Sequence, residues 1–384
     1  MDGITKEDYG KKLDENLENL LTRIHKGTYR PQTKREVLIP KANGKTRPIA
    51  ISAFEDKLVE WILGKILNSV YDPIFIRNSF GFRPNKSAHG AIDASYLILK
   101  DNKRPFVVEI DLKSFFNTVS HSKLMKILQK KVNDPRLLGL IARFLKAEIH
   151  HATSGVTKAE DAGTPQGSIM SPILANIYLH YVLDLWFLQT FASHTAVIVR
   201  YADDAIFMFD TKSKAENFLE ALRVRLATFE LELNEDKTAI IDFTRGRNSI
   251  FHFLGFSLYW AKRYMTSKLT LSIKTHKEKL HTKMQEFYEW IKKLRSAVKV
   301  QIIWEKVKLK LQGHYNYYGY FCNRRSLWRY YHSVIWSLFK WLNRRSQKRS
   351  FDWLRFKEII NKYARLPVPP KMSDLKSPGW SPHA

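Results

Sequence analysis

The sequence holds a single cysteine, Cys322. One thiol excludes an intrachain disulfide framework and any zinc site built on cysteine pairs, and it suits a reducing cytoplasm. Long apolar runs are equally scarce. The N-terminal MDGITKEDYG carries no apolar core of the kind a secretory signal needs. The most apolar stretch, Ile169 to Val199, is interrupted by Pro172, Asn176, His180 and Asp184, which predicts a buried helix and not a membrane span. Acid is short as well: Asp+Glu total 37 against 64 Lys+Arg, a net charge of +27. An excess of that size works against compaction unless a polyanion meets it. Nucleic acid is the first candidate and an acidic membrane surface the second, with a merely soluble basic enzyme as the remaining alternative.

What is present is a chain of 384 residues, 44% hydrophobic and 13% aromatic, enough for two or three packed subdomains. Leu13, Leu17, Leu20, Leu21 and Ile24 line one face of a helix predicted from Asp8 to Ile24. REVLIPKANGKTRPIAI alternates as a hairpin turning at Asn43-Gly44, and a helix is predicted over residues 54–70. FVVEID reads as a short strand ending in Asp111, and residues 120–148 read as helical. At the end of GTPQGSIMSP, Ser171 and Pro172 are placed as N-cap and first-turn proline of another helix. VIVRY and IFMF form a tight hairpin, a helix follows over 212–230, and LELNEDKTAIIDF and HFLGFSLYW supply further strands. Beyond Lys268 apolar residues recur at spacings of three and four, predicting a small all-helical domain that ends at PVPP.

The chemistry concentrates in VIVRYADDAIFMF, where Asp203 and Asp204 stand side by side between apolar runs. With Asp111 at a separate strand end they make a three-carboxylate set, converging if both strands share one sheet. Like charges that close do not all stay ionised without a cation. Hard divalent ions with oxygen ligands answer the need, and magnesium takes few protein carboxylates plus substrate phosphates. Two such ions about 4 Å apart would clamp the attacking and leaving oxygens of a phosphoryl transfer. An Asp-rich turn is also a common solvated turn, so the pair alone leaves both readings open.

The order of the remaining pieces decides more. PKANGKTRPI, NSFGFRPNKSAHGAI, EIDLKSFFNTV, GTPQGSIMSPILANIYL, RYADD, LNEDKT and FLGF follow one another along the chain. In that order they resemble the reverse transcriptases of bacterial group II introns, from about Asp2 to Pro370. GHYNYYGYFCNRRSLWRYY and LNRRSQKRSFDW are similar to the thumb, or maturase, domain of that group.

The resemblance implies an α+β right-hand polymerase. Fingers would span 1–105, an antiparallel-sheet palm 106–265 with a fingers-side insertion at about 125–165, a helical thumb or maturase domain 266–372, and a tail 373–384. It implies an RNA-directed DNA polymerase with two magnesium ions held by Asp111, Asp203 and Asp204. Asp111 and Asp203 would be the main ligands, and Asp204 a weaker ligand or a positioning acid. Lys45 and Arg47 match positions that grip the incoming triphosphate, where Arg offers a fork and Lys a point charge; an ordinary basic surface hairpin is the alternative. Phe116 matches the ring that excludes a 2′-hydroxyl, with a core aromatic as the alternative. Gln166 matches a nucleotide contact. Gly163 and Gly167 allow close backbone approach or are plain turn residues. Lys237 would meet a phosphate or the nearby carboxylates. Leu254 and Gly255 match the primer-gripping turn. Of Tyr315, Tyr317, Tyr318, Tyr320 and Phe321, about half are expected in a core and the rest against RNA. Arg344, Arg345, Lys348 and Arg349 form the expected phosphate-binding stripe.

The implied partners are an RNA template, a DNA primer, dNTPs and a structured intron or non-coding RNA, without a membrane. Two features depart from the family pattern. The chain starts inside the Gly-x-Asp-Gly-x-Thr motif, at Asp2-Gly3-Ile4-Thr5, so the upstream extension is expected to be missing. One cysteine does not build the Cys-pair/His nuclease module either. Beside an intron-type polymerase that also acts as a splicing maturase, two readings stay open. One is a domesticated relative in antiphage defence or DNA repair; the other is an RNA-binding splicing factor without polymerase activity.

Overall fold

Near-continuous apolar runs in two segments, Phe106–Ile110 and Ala196–Phe209, set the centre of the fold. In the computed structural model the described residues are all those other than 1–2, 41–45, 160–161, 193–194, 263–266, 346–351 and 379–384. Residues Met1–Ala91 and Lys103–Ile241 form one compact unit; Ile92–Asn102 and Asp242–Ala384 form a second.

The first unit opens with helices α1 (Lys6–Gly10) and α2 (Leu13–His25), capped at the start by the Thr5 hydroxyl, which accepts from the Asp8 amide. The expected single helix over Asp8–Ile24 is thus two, because Lys12 leaves helical geometry at φ −132°, ψ 48°. Strands β1 (Lys34–Pro40) and β2 (Thr46–Ile51) pair antiparallel, Val37 opposite Ile49, as the alternation predicts. Helices α3 (Phe54–Tyr71) and α4 (Ala88–Lys100) precede β3 (Phe106–Ile110). The stretch expected to be one helix over 120–148 follows the short α5 (Phe115–Thr118) and is α6 (His121–Leu128) and α7 (Pro135–Leu145). Asp134 enforces that break, its carboxylate accepting from the Arg136 amide at 2.7 Å while Pro135 opens α7.

Strands β4 (Ile149–His150) and β5 (Thr157–Lys158) extend the first hairpin into a sheet of order β2-β1-β4-β5. Helix α8 (Ser171–Leu179) then runs through a π turn at His180–Asp184 into α9 (Leu185–Thr190). Met170, not Ser171, occupies the N-cap; the Ser171 hydroxyl donates instead to the Pro165 carbonyl at 2.8 Å. Among the described residues no helix is long and apolar enough to cross a membrane.

The central sheet joins β6 (Ala196–Tyr201), β7 (Asp204–Phe209), β3 and β8 (Ala239–Asp242) in the order β6-β7-β3-β8. Its inner face, with Val108, Ile110, Ala205 and Phe207, lies in the main hydrophobic core. Helix α10 (Lys212–Ala227) seals that face through Phe218, whose ring centroid lies 4.4 Å from that of Phe207. The other face carries Val107, Glu109, Ile206 and Met208, with Glu109 opposite Ile206.

One charged pair lies inside this apolar structure. Arg200 on β6 is fully buried, and its Nε donates to Asp184 Oδ1 at 2.7 Å while Nη2 meets Oδ2. Burial pushes the Asp184 carboxyl up, but the Arg200 guanidinium and His180 together bring it below the usual carboxylate range.

In the second unit β9 (Ile250–Phe253), β10 (Phe256–Lys262) and β11 (Leu269–Thr275) form an antiparallel sheet of order β11-β10-β9. The segment after Lys268 is therefore not helical from its start: Leu271 and Ile273 alternate into the core, and β10 offers a free edge to pair with. Helices begin at Lys277, with α11 (Lys277–Leu294), α12 (Val300–Tyr318), α13 (Arg324–Leu342) and α14 (Trp353–Glu358). Tyr315, Tyr318 and Tyr320 are buried among them, Tyr317 is half-buried and Phe321 is exposed.

Removing one member of a buried ion pair strands the other. Asp184→Asn is expected to lower unfolding free energy by about 3–5 kcal/mol, read from urea denaturation. The double variant Asp184→Leu/Arg200→Leu is expected to lose less than the two single Leu variants combined, which a double-mutant cycle checks.

Candidate active site

Strand β7 begins at Asp204, paired with Tyr201 at the end of β6, so the hairpin turns through Ala202 and Asp203 alone. Ala202 takes φ 56°, a left-handed conformation that a residue with a Cβ holds only when its surroundings impose it. A connected set of contacts imposes it. Arg200 Nη1 donates to the Ala202 carbonyl at 2.9 Å and to Asn176 Oδ1 at 3.0 Å. Asn176 Nδ2 in turn donates to the Gly81 carbonyl at 2.6 Å. Gly81 itself lies against the turn: a Cβ there would sit 2.9 Å from the Tyr201 carbonyl carbon and 3.0 Å from Ala202 Cα.

The register brings the third acid to the same edge. Ile110 pairs with Ala205, which leaves Asp111 one step beyond β3 beside Asp204 at the start of β7. By the two-residue period, Glu109 shares the face of Asp111 and Asp204. Asp111 is held by the segment Leu231–Lys237, where Leu112 bridges Leu233 and the Asn234 amide donates to the Asp111 carbonyl at 2.8 Å. Its carboxylate accepts from Asn234 Nδ2 at 2.9 Å and from Lys237 Nζ at 3.0 Å, both on Oδ2.

The acids act on one another. Burial first, then repulsion from Asp111, holds the half-buried Asp203 carboxyl above its usual range, against the pull of its own amide, Arg47 and Arg200. Glu109 goes further: burial, then the charges of Asp204 and Asp111, push it up to about 7. Asp204 is exposed. Negative charge thus accumulates at one end of the sheet, with Lys237 bonded to Asp111 and Arg47 acting on Asp203. Among the described residues no three carboxylate, histidine or cysteine side chains are gathered closely enough to form a metal cage by themselves. The donor set is nonetheless hard oxygen on mutually repelling carboxylates, which fits a divalent cation completed by ligands from a substrate.

A second feature adjoins the edge of the first hairpin. Phe116 and Gln166 line one cavity of about 180 Å³ together with Pro48, Ala50 and Gly163. The loop carrying Gln166 is stitched to β2, the strand of Arg47, by the Ala50 amide donating to the Gln166 carbonyl at 2.7 Å. Gly163 (φ 95°) and Gly167 (φ 106°) are both turn and close-approach residues: a Cβ on Gly163 would come 2.9 Å from the Phe116 carbonyl oxygen, and one on Gly167 2.8 Å from the Ala50 oxygen. Behind the loop, buried Glu60 on α3 accepts from the Ile169 amide at 2.9 Å and from the Ser52 hydroxyl at 3.0 Å. Glu60 also pairs with buried Lys34 at 3.2 Å.

Of the residues singled out from the sequence, Asp111, Asp203, Asp204, Arg47 and Lys237 thus come into one electrostatic group, and Phe116 and Gln166 into one cavity. Leu254 and Gly255 belong to the second unit, where they make the two-residue turn of β9 and β10 with φ 49° and 80°. The Leu254 carbonyl accepts from the Tyr317 hydroxyl at 2.8 Å. Arg344 and Arg345 are exposed after α13, the Arg344 guanidinium 5.7 Å from the Trp341 ring centroid. Lys45, Lys348 and Arg349 lie outside the described residues. Sequence reasoning missed Glu109, Asn234 and the Arg200–Asp184–Asn176–Gly81 support. A charged residue inside each of two apolar runs, Arg200 in VIVRY and Asp184 in YVLDLWF, was the available signal.

Residues 39–258 match the family model described as reverse transcriptase (RNA-dependent DNA polymerase). Protein YkfC of Escherichia coli is 34% identical over 291 residues, which cover 67% of this chain and 75% of YkfC. The group II intron-encoded protein LtrA of Lactococcus lactis is 39% identical over 187 residues, 46% of this chain but only 29% of LtrA. Among solved structures, apo telomerase from Candida tropicalis superposes with a TM-score of 0.50 at 14% identity, covering 93% of this chain and 68% of the telomerase, a likeness of fold.

The raised carboxyl of Glu109 makes folding depend on pH. The folded state binds the proton more tightly than the unfolded chain, so the stabilising contribution is full below about pH 4.5 and falls away as pH rises through about 7. In metal-free buffer, urea denaturation of the parent is expected to show this loss, and Glu109→Gln is expected to flatten it.

Proposed function

The chain belongs to the reverse transcriptase family, as an RNA-directed DNA polymerase of group II intron type, and on that premise we propose that it extends a DNA primer on an RNA template from dNTPs with magnesium as cofactor. The observation that carries the site assignment is the convergence of Asp111, Asp203 and Asp204 at one end of two paired strands, with Arg47 in electrostatic reach of Asp203.

In this reading the primer 3′-hydroxyl attacks the α-phosphorus of the dNTP, a P–O bond forms, and the bond to pyrophosphate breaks. Asp111 and Asp203 are the principal holders of two magnesium ions, with Asp204 at the exposed rim. Such ions supply charge neutralisation to the phosphate oxygens. The support under the turn fixes where Asp203 points, so its carboxylate needs no reorganisation as the nucleotide arrives. Lys237 compensates Asp111 until then, and its ammonium exchanges that partner for a phosphate oxygen of the bound nucleotide. Arg47, with Lys45, takes the triphosphate. Phe116, half-buried beside Gln166, closes the sugar side of the cavity against a 2′-hydroxyl.

The turn Leu254-Gly255 takes the primer strand. Arg344, Arg345, Lys348 and Arg349 contact phosphates, and the net charge of +27 makes nucleic-acid affinity fall steeply with salt. The similarity to LtrA supports a second role as a maturase that binds intron RNA.

Primer extension on an RNA template tests the reading. The parent is expected to extend with magnesium, and Asp203→Ala to lose at least about 10³-fold of that rate; no extension by the parent leaves only an RNA-binding role. Phe116→Val is expected to raise rNTP incorporation relative to dNTP by about tenfold or more, because a removed wall admits the 2′-hydroxyl. The ratio of kcat/KM values for the two nucleotides measures it.

A further inference from the structure

Away from the acids, helices α2, α3 and α7 enclose an open trough of about 940 Å³. Its walls are apolar: Leu17 and Leu21 from α2, Trp61, Ile62 and Ile66 from α3, and Leu140 from α7. These side chains are not sealed by the fold. Trp61 is 55% exposed, Leu21 53% and Ile62 49%. Isolated exposed apolar residues are ordinary, but a contiguous set lining a concavity marks an interaction site. None of these residues lines the cavity of Phe116 and Gln166.

The mouth of the trough is basic. Lys26 and Arg136 are exposed in its lining and Arg143, half-buried there, donates to the Tyr29 carbonyl at 3.1 Å, while the one acid of the lining, Asp134, has its carboxylate engaged in capping α7. Lys65 adds a further ammonium 5.3 Å from the Trp61 ring centroid. An occupant therefore needs an apolar ridge to fill the floor and negative charge to meet the rim. A bilayer presents a flat surface and does not fill a recess. RNA brings the charge but no aliphatic ridge. A second copy brings +27 toward +27.

We propose that this trough is the docking site for an amphipathic helix of a partner protein, with apolar anchors at spacings of three and four and acidic residues along its flanks. Trenches between helices take such ligands by packing the anchors into the floor while flanking charges fix orientation. Trp61 is the central contact: a large, rigid aromatic, exposed on one face and already approached by a cation. This inference stands apart from the polymerase reading, since no residue of the trough is assigned to catalysis.

The test is fluorescence anisotropy of the full chain with a labelled synthetic helix of about four turns, leucines at spacings of three and four, glutamates on the flanks. A peptide of the same composition in scrambled order is the control. Saturable binding of the ordered peptide is expected, weakened by at least about tenfold in Trp61→Ala and in Ile62→Asp, and retained by Asp203→Ala. Both trough variants change exposed side chains, so circular dichroism and primer extension are expected to match the parent. The proposal is overturned if the scrambled peptide binds equally, or if the variants bind the ordered peptide as the parent does. It is also overturned if phosphatidylglycerol vesicles or single-stranded RNA, and not the peptide, show the dependence on Trp61. A Trp61-dependent dimer of the chain alone in sedimentation, with no peptide binding, assigns the trough to a second copy instead.

Discussion

A buried guanidinium holds the site in place. Arg200 points inward from the penultimate residue of β6, and its donors reach Asp184, Asn176 and the Ala202 carbonyl. An ionised group at full burial costs far more than it returns unless every donor is met and its charge is matched. Asp184 matches the charge, and Nη1 donates to two further oxygens, of Asn176 and Ala202. The consequence is positional. Ala202 is held at positive φ, Gly81 is pressed against the turn, and Asp203 is projected from a support that has few alternative arrangements. Replacing the pair by apolar residues would cost the turn its shape before it cost the sheet its packing.

On that support the chain assembles repulsion. Asp111, Asp203, Asp204 and Glu109 share one strand end or one sheet face, and burial raises the cost of charge on Asp203 and Glu109. Lys237 acts against it at Asp111 and Arg47 at Asp203. A site in that state gains from any cation brought with a polyanionic substrate, and this is how hard divalent ions and nucleotides are bound together. The large basic excess of the chain serves the other side of the same balance: it attracts the nucleic acid whose phosphates the acids alone would repel.

A second buried pair, Lys34 with Glu60, plays a comparable part in the first hairpin region. Glu60 ties α3 to the loop that carries Gln166, and that loop is stitched to β2. The neighbouring positions on α3, Trp61 and Ile62, face the open trough. One helix thus carries a buried acid that holds the nucleotide-side loop and an exposed apolar surface available to a partner.

The sequence by itself determined the acids, their strand ends and the order of the motif stretches, because apolar runs on both sides of a two-residue link leave little freedom to a hairpin such as VIVRYADDAIFMF. It also determined the family, since seven short stretches in one order are specific where each alone is weak. It misplaced what depends on competition between local preferences: the break at Lys12 in the first helix, the Met170 cap, and β11, where an open strand edge won over a helical reading. Only the tertiary structure decided the charge states and supports. Glu109 is an ordinary strand acid in sequence and becomes a perturbed one because the sheet buries it and brings Asp204 and Asp111 to the same face. Arg200 is one basic residue among 64 until α8 and its π turn bring Asn176 and Asp184 to it. Burial and long-range pairing set these effects, and neither is encoded within the window of a local pattern.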